Sequence, residues 1–229
     1  MREIVLDTET TGLDPAKGDR LVEIGAVEIV DKIATGRTYH VLINPERDVP
    51  EEAFRVHGHS TEFLRDKPVF AAVVDEFLAF VGEDPLVIHN AEFDTRFLNA
   101  ELALLGRAAL AVERIVDTLA LARRKHPGAQ NSLDALCDRY RIDRSRRVKH
   151  GALLDAEILV EVYCELCGGR QRSLGLAVSA AAIAAAPKAT GPLLRPSALP
   201  PRPRDAAAHR AQFASFGAPA IWLKYSPAE

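Results

Sequence analysis

The stretch "IVLDTETTG", Ile4 to Gly12, sets an apolar run against two acids. Ile4, Val5 and Leu6 suit a buried strand, yet Asp7 and Glu9 stand at its end. Side chains alternate across a strand, so Asp7 and Glu9 project to one side and Thr8 to the other. Two carboxylates held together repel unless a cation neutralises them, and hard oxygen donors suit Mg2+ or Mn2+. A D-x-E pair alone is commonly a solvated strand end, so its meaning depends on what the rest of the chain brings to it.

Outward from that pair, the chain reads as a soluble globular protein. It has 229 residues, of which 48% are apolar, enough for one substantial core plus extensions. A net charge of −3 gives no global attraction to nucleic acid or to a membrane surface, so a polyanion would have to be held by local features or by metal ions. Cys137, Cys164 and Cys167 are too few and too clustered for a disulfide framework, which fits a reducing cytoplasm. The Cys164-x-x-Cys167 pair closes a helix-like stretch and has no second ligand pair, so it reads as helix-face cysteines. No signal peptide is expected, and the longest apolar stretch, Leu174 to Ala186, falls short of the roughly 20 residues needed to cross a bilayer.

Arg2–Leu6, Leu21–Val30 and Thr38–Ile43 are expected as strands, joined by short links that favour an antiparallel meander. A helix over Asp75–Val81, a buried strand over Leu86–His89 and a helix over Ala91–Leu105 follow, the last with Asn90 as its N-cap. A short strand at Ile115–Val116 precedes helices at Thr118–Lys125, Ser132–Arg139 and Leu153–Cys167. The last of these carries Leu153, Leu154, Ile158, Val162 and Leu166 at helical spacing. Strands followed by alternating strands and helices predict a mixed α/β sheet flanked by helices. After Gly168 and Gly169 the composition turns Ala-, Pro- and Arg-rich. The expected organisation is a domain over 1–169, a flexible linker over 170–204 and a C-terminal segment over 205–229.

Two later segments give the first pair its weight. "IHNAEFD" puts Asp94 in the first turn of a helix after a short strand, and "KHGALLDAE" puts His150 in a loop with Asp155 five residues on. Either acid alone would suit a helix dipole, and His150 alone would suit an exposed basic run. Together and in this order, the three motifs resemble those of the DEDDh branch of the DnaQ-like 3′–5′ exonucleases over about Arg2 to Gly169. The resemblance implies a ribonuclease-H-like fold, with three antiparallel strands plus short parallel ones. It also implies two Mg2+ or Mn2+ ions held by Asp7, Glu9 and Asp155, with Asp94 supporting one through water, and His150 as general base. Phosphodiester hydrolysis brings an anionic nucleophile to an anionic phosphate, which two metal ions roughly 3.5–4 Å apart can relieve. An imidazole titrating near 6.5 can accept a water proton at neutral pH.

The same resemblance places Glu52 and His57 against the terminal nucleotide, with Thr8, Thr10 and Leu13 touching the 3′ end through backbone groups and an apolar wedge. Phe93 is expected in the core. The basic run "RYRIDRSRRVK" beside His150 is expected to contact phosphates. Past the domain, Gln171, Leu174 and Leu176 fit Q-x-x-L-x-L, which resembles the peptide that bacterial replication proteins insert into the sliding clamp. The last segment, with Phe213 and Trp222, resembles the piece by which proofreading subunits dock on the replicative polymerase alpha subunit; a small accessory subunit is a further expected partner. The function implied is cytoplasmic proofreading at a single-stranded or frayed DNA 3′ end. An RNA-trimming member of the family and a non-catalytic clamp or polymerase adaptor are the alternatives.

Overall fold

The structure is a computed structural model, and it describes residues 1–145, 147 and 149–169. Five strands form one mixed sheet in the order β3-β2-β1-β4-β5. The strands β1 (Arg2–Thr10), β2 (Leu21–Val30) and β3 (Ile33–Leu42) are antiparallel neighbours, while β4 (Leu86–Ile88) and β5 (Ile115–Asp117) run parallel to β1. This is the mixed sheet expected from the sequence. The helices are α1 (Glu51–His57), α2 (Thr61–Arg65), α3 (Phe70–Val81), α4 (Ala91–Leu104), α5 (Thr118–Lys125), α6 (Leu133–Tyr140) and α7 (Ala152–Leu166).

The alternation along β1 divides the core. Ile4 and Leu6 face a cluster built with Phe70, Phe77 and Val81 of α3 and Phe97, Leu98 and Leu102 of α4. Val5 faces the other way, onto Ala122, Leu136, Ala156, Leu159 and Val162 from α5, α6 and α7. Each sheet face thus buries its own apolar layer under helices, which is why β1 is continuously hydrophobic over residues 4–6. Phe93 packs on the first cluster, its ring 5.1 Å from that of Phe97, so it is a core residue as expected.

Several boundaries differ from the sequence reading for identifiable reasons. The strand expected to end at Leu6 continues to Thr10, because β2 goes on pairing with it as far as Glu9 opposite Glu23 and Thr10 opposite Leu21. β3 begins at Ile33 rather than Thr38, since the polar segment 33–38 pairs with β2 at the sheet edge. Asn90 is not a side-chain cap: it sits in the left-handed region at φ 63°, and its backbone N–H donates to Asp117 at 3.2 Å. Asp117 also caps α5 through the Leu119 N–H, so one carboxylate serves the junctions before both α4 and α5. The three cysteines are free, and Cys164 and Cys167 lie on the last turn of α7 and at its C-cap. Among the described residues, no helix is long and apolar enough to cross a membrane. Gln171, Leu174, Leu176, Phe213 and Trp222, and the two segments beyond residue 169, lie outside the described residues.

Candidate active site

Asp7 and Glu9 share the β1 face on which α7 packs, and Asp7 pairs across the sheet with Gly25. A Cβ on Gly25 would stand 2.1 Å from the backbone nitrogen of Leu153 and 2.2 Å from the carbonyl carbon of Ala152. The missing side chain therefore lets the first turn of α7 lie directly on the strand, which brings Asp155, 2% exposed, up to Asp7 and Glu9. Gly25 was not singled out from the sequence. Its signal was there, a lone glycine inside the apolar strand "LVEIGAVEIV", where glycine often marks a close backbone approach.

Asp94 comes from the opposite layer. It is buried in the first turn of α4, and the Thr8 hydroxyl donates to its Oδ1 at 2.7 Å. Thr8 thus uses the face that Asp7 and Glu9 leave free to anchor the fourth acid. Further along, α4 is tied to the start of β2, where Arg20 grips the buried Glu101 with bonds of 2.6 and 2.9 Å. Acids from both sides of the sheet therefore meet near the C-terminal end of β1.

His150 lies on the loop before α7, with its side chain 47% exposed and its Nδ1 3.3 Å from Asp155 Oδ2. The loop docks on α1, since the His150 backbone N–H donates to the Val56 carbonyl at 3.2 Å. Donor atoms of Glu9, His150 and Asp155 all lie within 4.8 Å of one another.

The electrostatics match this crowding. Burial, then the charges of Asp94, Glu9 and Asp155, hold the Asp7 carboxyl well above the usual carboxylate range. Burial and then the charges of Glu23, Asp155 and Asp94 push Glu9 up to about 8. Burial raises Asp94 to about 7 although the Thr8 hydrogen bond opposes it. Acids that resist ionising together are suited to a hard divalent cation, which restores their charge, and the donor set offered here is rich in oxygen.

Arg147 is the cation present in the site. Its guanidinium grips both oxygens of Asp155, through Nε and, at 2.7 Å, through Nη2. It also donates to Asp134 of α6 at 2.6 Å and to His150 Nδ1 at 2.8 Å. In the sequence this residue belongs to a basic run expected to contact phosphates, but it is 9% exposed and turned inward onto the chain's own acids. Its neighbours are also engaged: Arg144 pairs with Asp134 and Asp138, and Arg139 with the Gln130 carbonyl.

The substrate-side residues divide. Glu52 is exposed on α1 and His57 buried at its end, while Leu13 is 76% exposed beyond β1. The Thr10 hydroxyl is satisfied by the Gly12 carbonyl at 2.6 Å, so Thr8 and Thr10 spend their hydroxyls within the chain.

This geometry agrees with what the chain resembles. The RNase T exonuclease family model matches residues 4–163. Relatives named DNA polymerase III subunit epsilon include that of Rickettsia felis, 57% identical over 174 residues that cover 75% of this chain and 76% of the relative. That of Escherichia coli K12 is 50% identical over 184 residues, covering 77% and 75%. Among solved structures, exonuclease X in complex with 5′-overhanging duplex DNA aligns with a TM-score of 0.58 at 26% identity, over 72% of this chain and 90% of that one. The nuclease domain of 3′hExo, a DEDDh family member bound to rAMP, shares the fold with a TM-score of 0.62 at 16% identity, over 75% and 94%. With all five site residues inside the matched span, the chain belongs to the RNase T exonuclease family.

Proposed function

We propose that the chain is a metal-dependent 3′–5′ exodeoxyribonuclease that proofreads replication as the epsilon-type subunit of a bacterial DNA polymerase III. The observation that carries this reading is the convergence of Asp7, Glu9, Asp94 and Asp155 beside His150 from β1, α4, α7 and one loop.

In this reading Asp7, Glu9 and Asp155 hold two divalent cations, Mg2+ or Mn2+, with Asp94 supporting one of them. Bound cations would lower the pKa of water and share the charge on the scissile phosphate. Arg147 donates to Nδ1 of His150, so that nitrogen carries the lone pair and can take a proton from water only once the guanidinium lets go of it. The loop sets His150 near the acids with a main-chain bond to α1, and Arg147 holds its ring beside Asp155. Glu52 and His57, with Thr8, Thr10 and Leu13, receive the terminal nucleotide. Thr8 does so through its backbone and by orienting Asp94, and exposed Leu13 serves as an apolar wedge under the last base. Mismatched ends fray more readily, so they reach a single-strand site more often, and selectivity follows. Beyond residue 169, Gln171, Leu174 and Leu176 bind the sliding clamp, and the segment with Phe213 and Trp222 binds the polymerase alpha subunit.

The test is an end-labelled single-stranded DNA. It is expected to shorten from its 3′ end, releasing nucleoside monophosphates, with Mg2+ or Mn2+ present. Chelator, and the substitution Asp7→Ala, are expected to lower the rate by at least about 100-fold, as loss of a group that acts only in the transition state does. Faster trimming of the matching RNA would reassign the substrate. No metal-dependent cleavage would leave an adaptor role.

A further inference from the structure

Next to the acids lies a second cluster, of which the reading above uses only His57. Glu23 stands opposite Glu9 in the β1–β2 pairing and is 4% exposed. Its two oxygens are shared between two imidazoles: Oε1 lies 2.8 Å from His40 Nε2 and Oε2 lies 2.8 Å from His59 Nε2. Burial alone would raise this carboxyl, but the two imidazole bonds outweigh it and hold Glu23 at about 2, so it stays charged.

The array continues from His59 to His57. The His59 ring stacks on the His57 ring with centroids 5.0 Å apart and planes 24° apart, and on its other side meets Phe63 at 5.8 Å. The His59 backbone N–H donates to His57 Nδ1 at 3.0 Å. A nitrogen that accepts carries no proton, so in the neutral ring the proton is on Nε2. That Nε2 is buried and has no hydrogen-bond partner among the described residues. A buried donor left unpaired is costly unless a ligand supplies its acceptor. His57 lies at the end of the helix on which the His150 loop docks, and the charge of Lys149 reaches it.

We infer that Glu23 and His59 are positioning residues, which hold His57 as a neutral donor whose Nε2–H is kept for an acceptor oxygen of the 3′-terminal nucleotide. Glu23 tethers the His59 ring, the His59 ring fixes the plane of His57, and the His59 main chain fixes its tautomer. His40 fills the other oxygen of Glu23, so that carboxylate is held from both sides. A neutral ring suits the task, since a charged one beside Lys149 would be repelled, and burial and the charge of His59 already keep His57 down at about 4. The inference rests on the exonuclease reading for the nature of the ligand.

The test uses the full chain with thymidine monophosphate as probe. Long-range nitrogen–proton NMR of the histidine rings at neutral pH is expected to find His57 neutral with its proton on Nε2. A proton on Nδ1 would overturn the inference. In His59→Ala, binding of thymidine monophosphate measured by calorimetry with Mn2+ is expected to weaken about fivefold, the size of one lost neutral hydrogen bond. KM for single-stranded DNA should rise by a similar factor while kcat and Mn2+ affinity stay within about twofold. His59→Phe keeps the stack without the tether and should recover part of the loss. Unchanged nucleotide affinity in folded His59→Ala, or an equal loss of Mn2+ binding, would overturn the proposal. A wild-type chain that binds the nucleotide with the stated dependence on His59 but cuts no DNA would count against the exonuclease reading alone.

Discussion

Glu9 and Asp94 are acids whose environment resists their charge, and this has a consequence for stability. Both have folded values raised above their usual ones, to about 8 and about 7, so the folded chain binds protons more tightly there than the unfolded chain does. Their contribution is fully present below the unfolded values near 4 and is lost as pH rises through 7 and 8. In chelator, the thermal midpoint is therefore expected to fall by several degrees between about pH 5 and pH 8.5, and saturating Mn2+ should abolish the fall. A midpoint flat over that range in chelator would contradict the crowding of these carboxylates. The acids and His150 were legible in the sequence because each sits in a motif with a spacing of its own. Arg147 was not, because nothing in "RSRRVK" distinguishes an arginine that turns inward from one that faces water. What decides it is Asp134, thirteen residues away on another helix, which offers a second acceptor beside Asp155.

Among the elements, the contact of α7 with β2 sets the site. Adding one methyl at Gly25 would push against the backbone of Ala152 and Leu153, which cannot swing aside as a side chain can. Gly25→Ala is expected to lower stability by about 3 kcal/mol, the upper range for overpacking, and urea denaturation followed by circular dichroism measures it. At conditions where the variant is still folded, Asp155 should stand farther from Asp7 and Glu9, so Mn2+ affinity should fall as well. The element types in the sheet and the long helices were read correctly from β-branched runs and helical spacing, although α3 starts at Phe70 and not at the expected Asp75. The edges were misjudged where polarity disguised pairing. Asp7 to Thr10 looked like the end of a strand because acids are poor strand formers, yet β2 supplies partners throughout. The segment 33–38 is mostly polar and exposed, and pairing on one side alone keeps it in the sheet. The short helices α1 and α2 carry too few turns for a periodic signal, and there Ser60, whose side chain caps α2, and the acids Glu51 and Glu52 were the available cues.

For the whole molecule, the folded domain and the stretch after residue 169 carry different tasks in the proposed reading. Replacing Gln171 and Leu174 by Ala is expected to weaken clamp binding by at least about tenfold, since two of the three anchors of a short peptide are lost. Cleavage of free oligonucleotides should be unchanged, because those positions follow the span 4–163 that the exonuclease family model matches. Surface plasmon resonance on immobilised clamp, alongside the nuclease assay, separates the two. Equal clamp affinity would refute the peptide reading and leave the nuclease untouched. The acids of the site come from both faces of the sheet, and the last of them, Asp155, is on the final helix of the domain. A chain still leaving the ribosome, or one truncated before α7, can hold at most an incomplete set of ligands. Cutting power should therefore arise late and all at once, so that unfinished copies are harmless to the genome they would otherwise nibble.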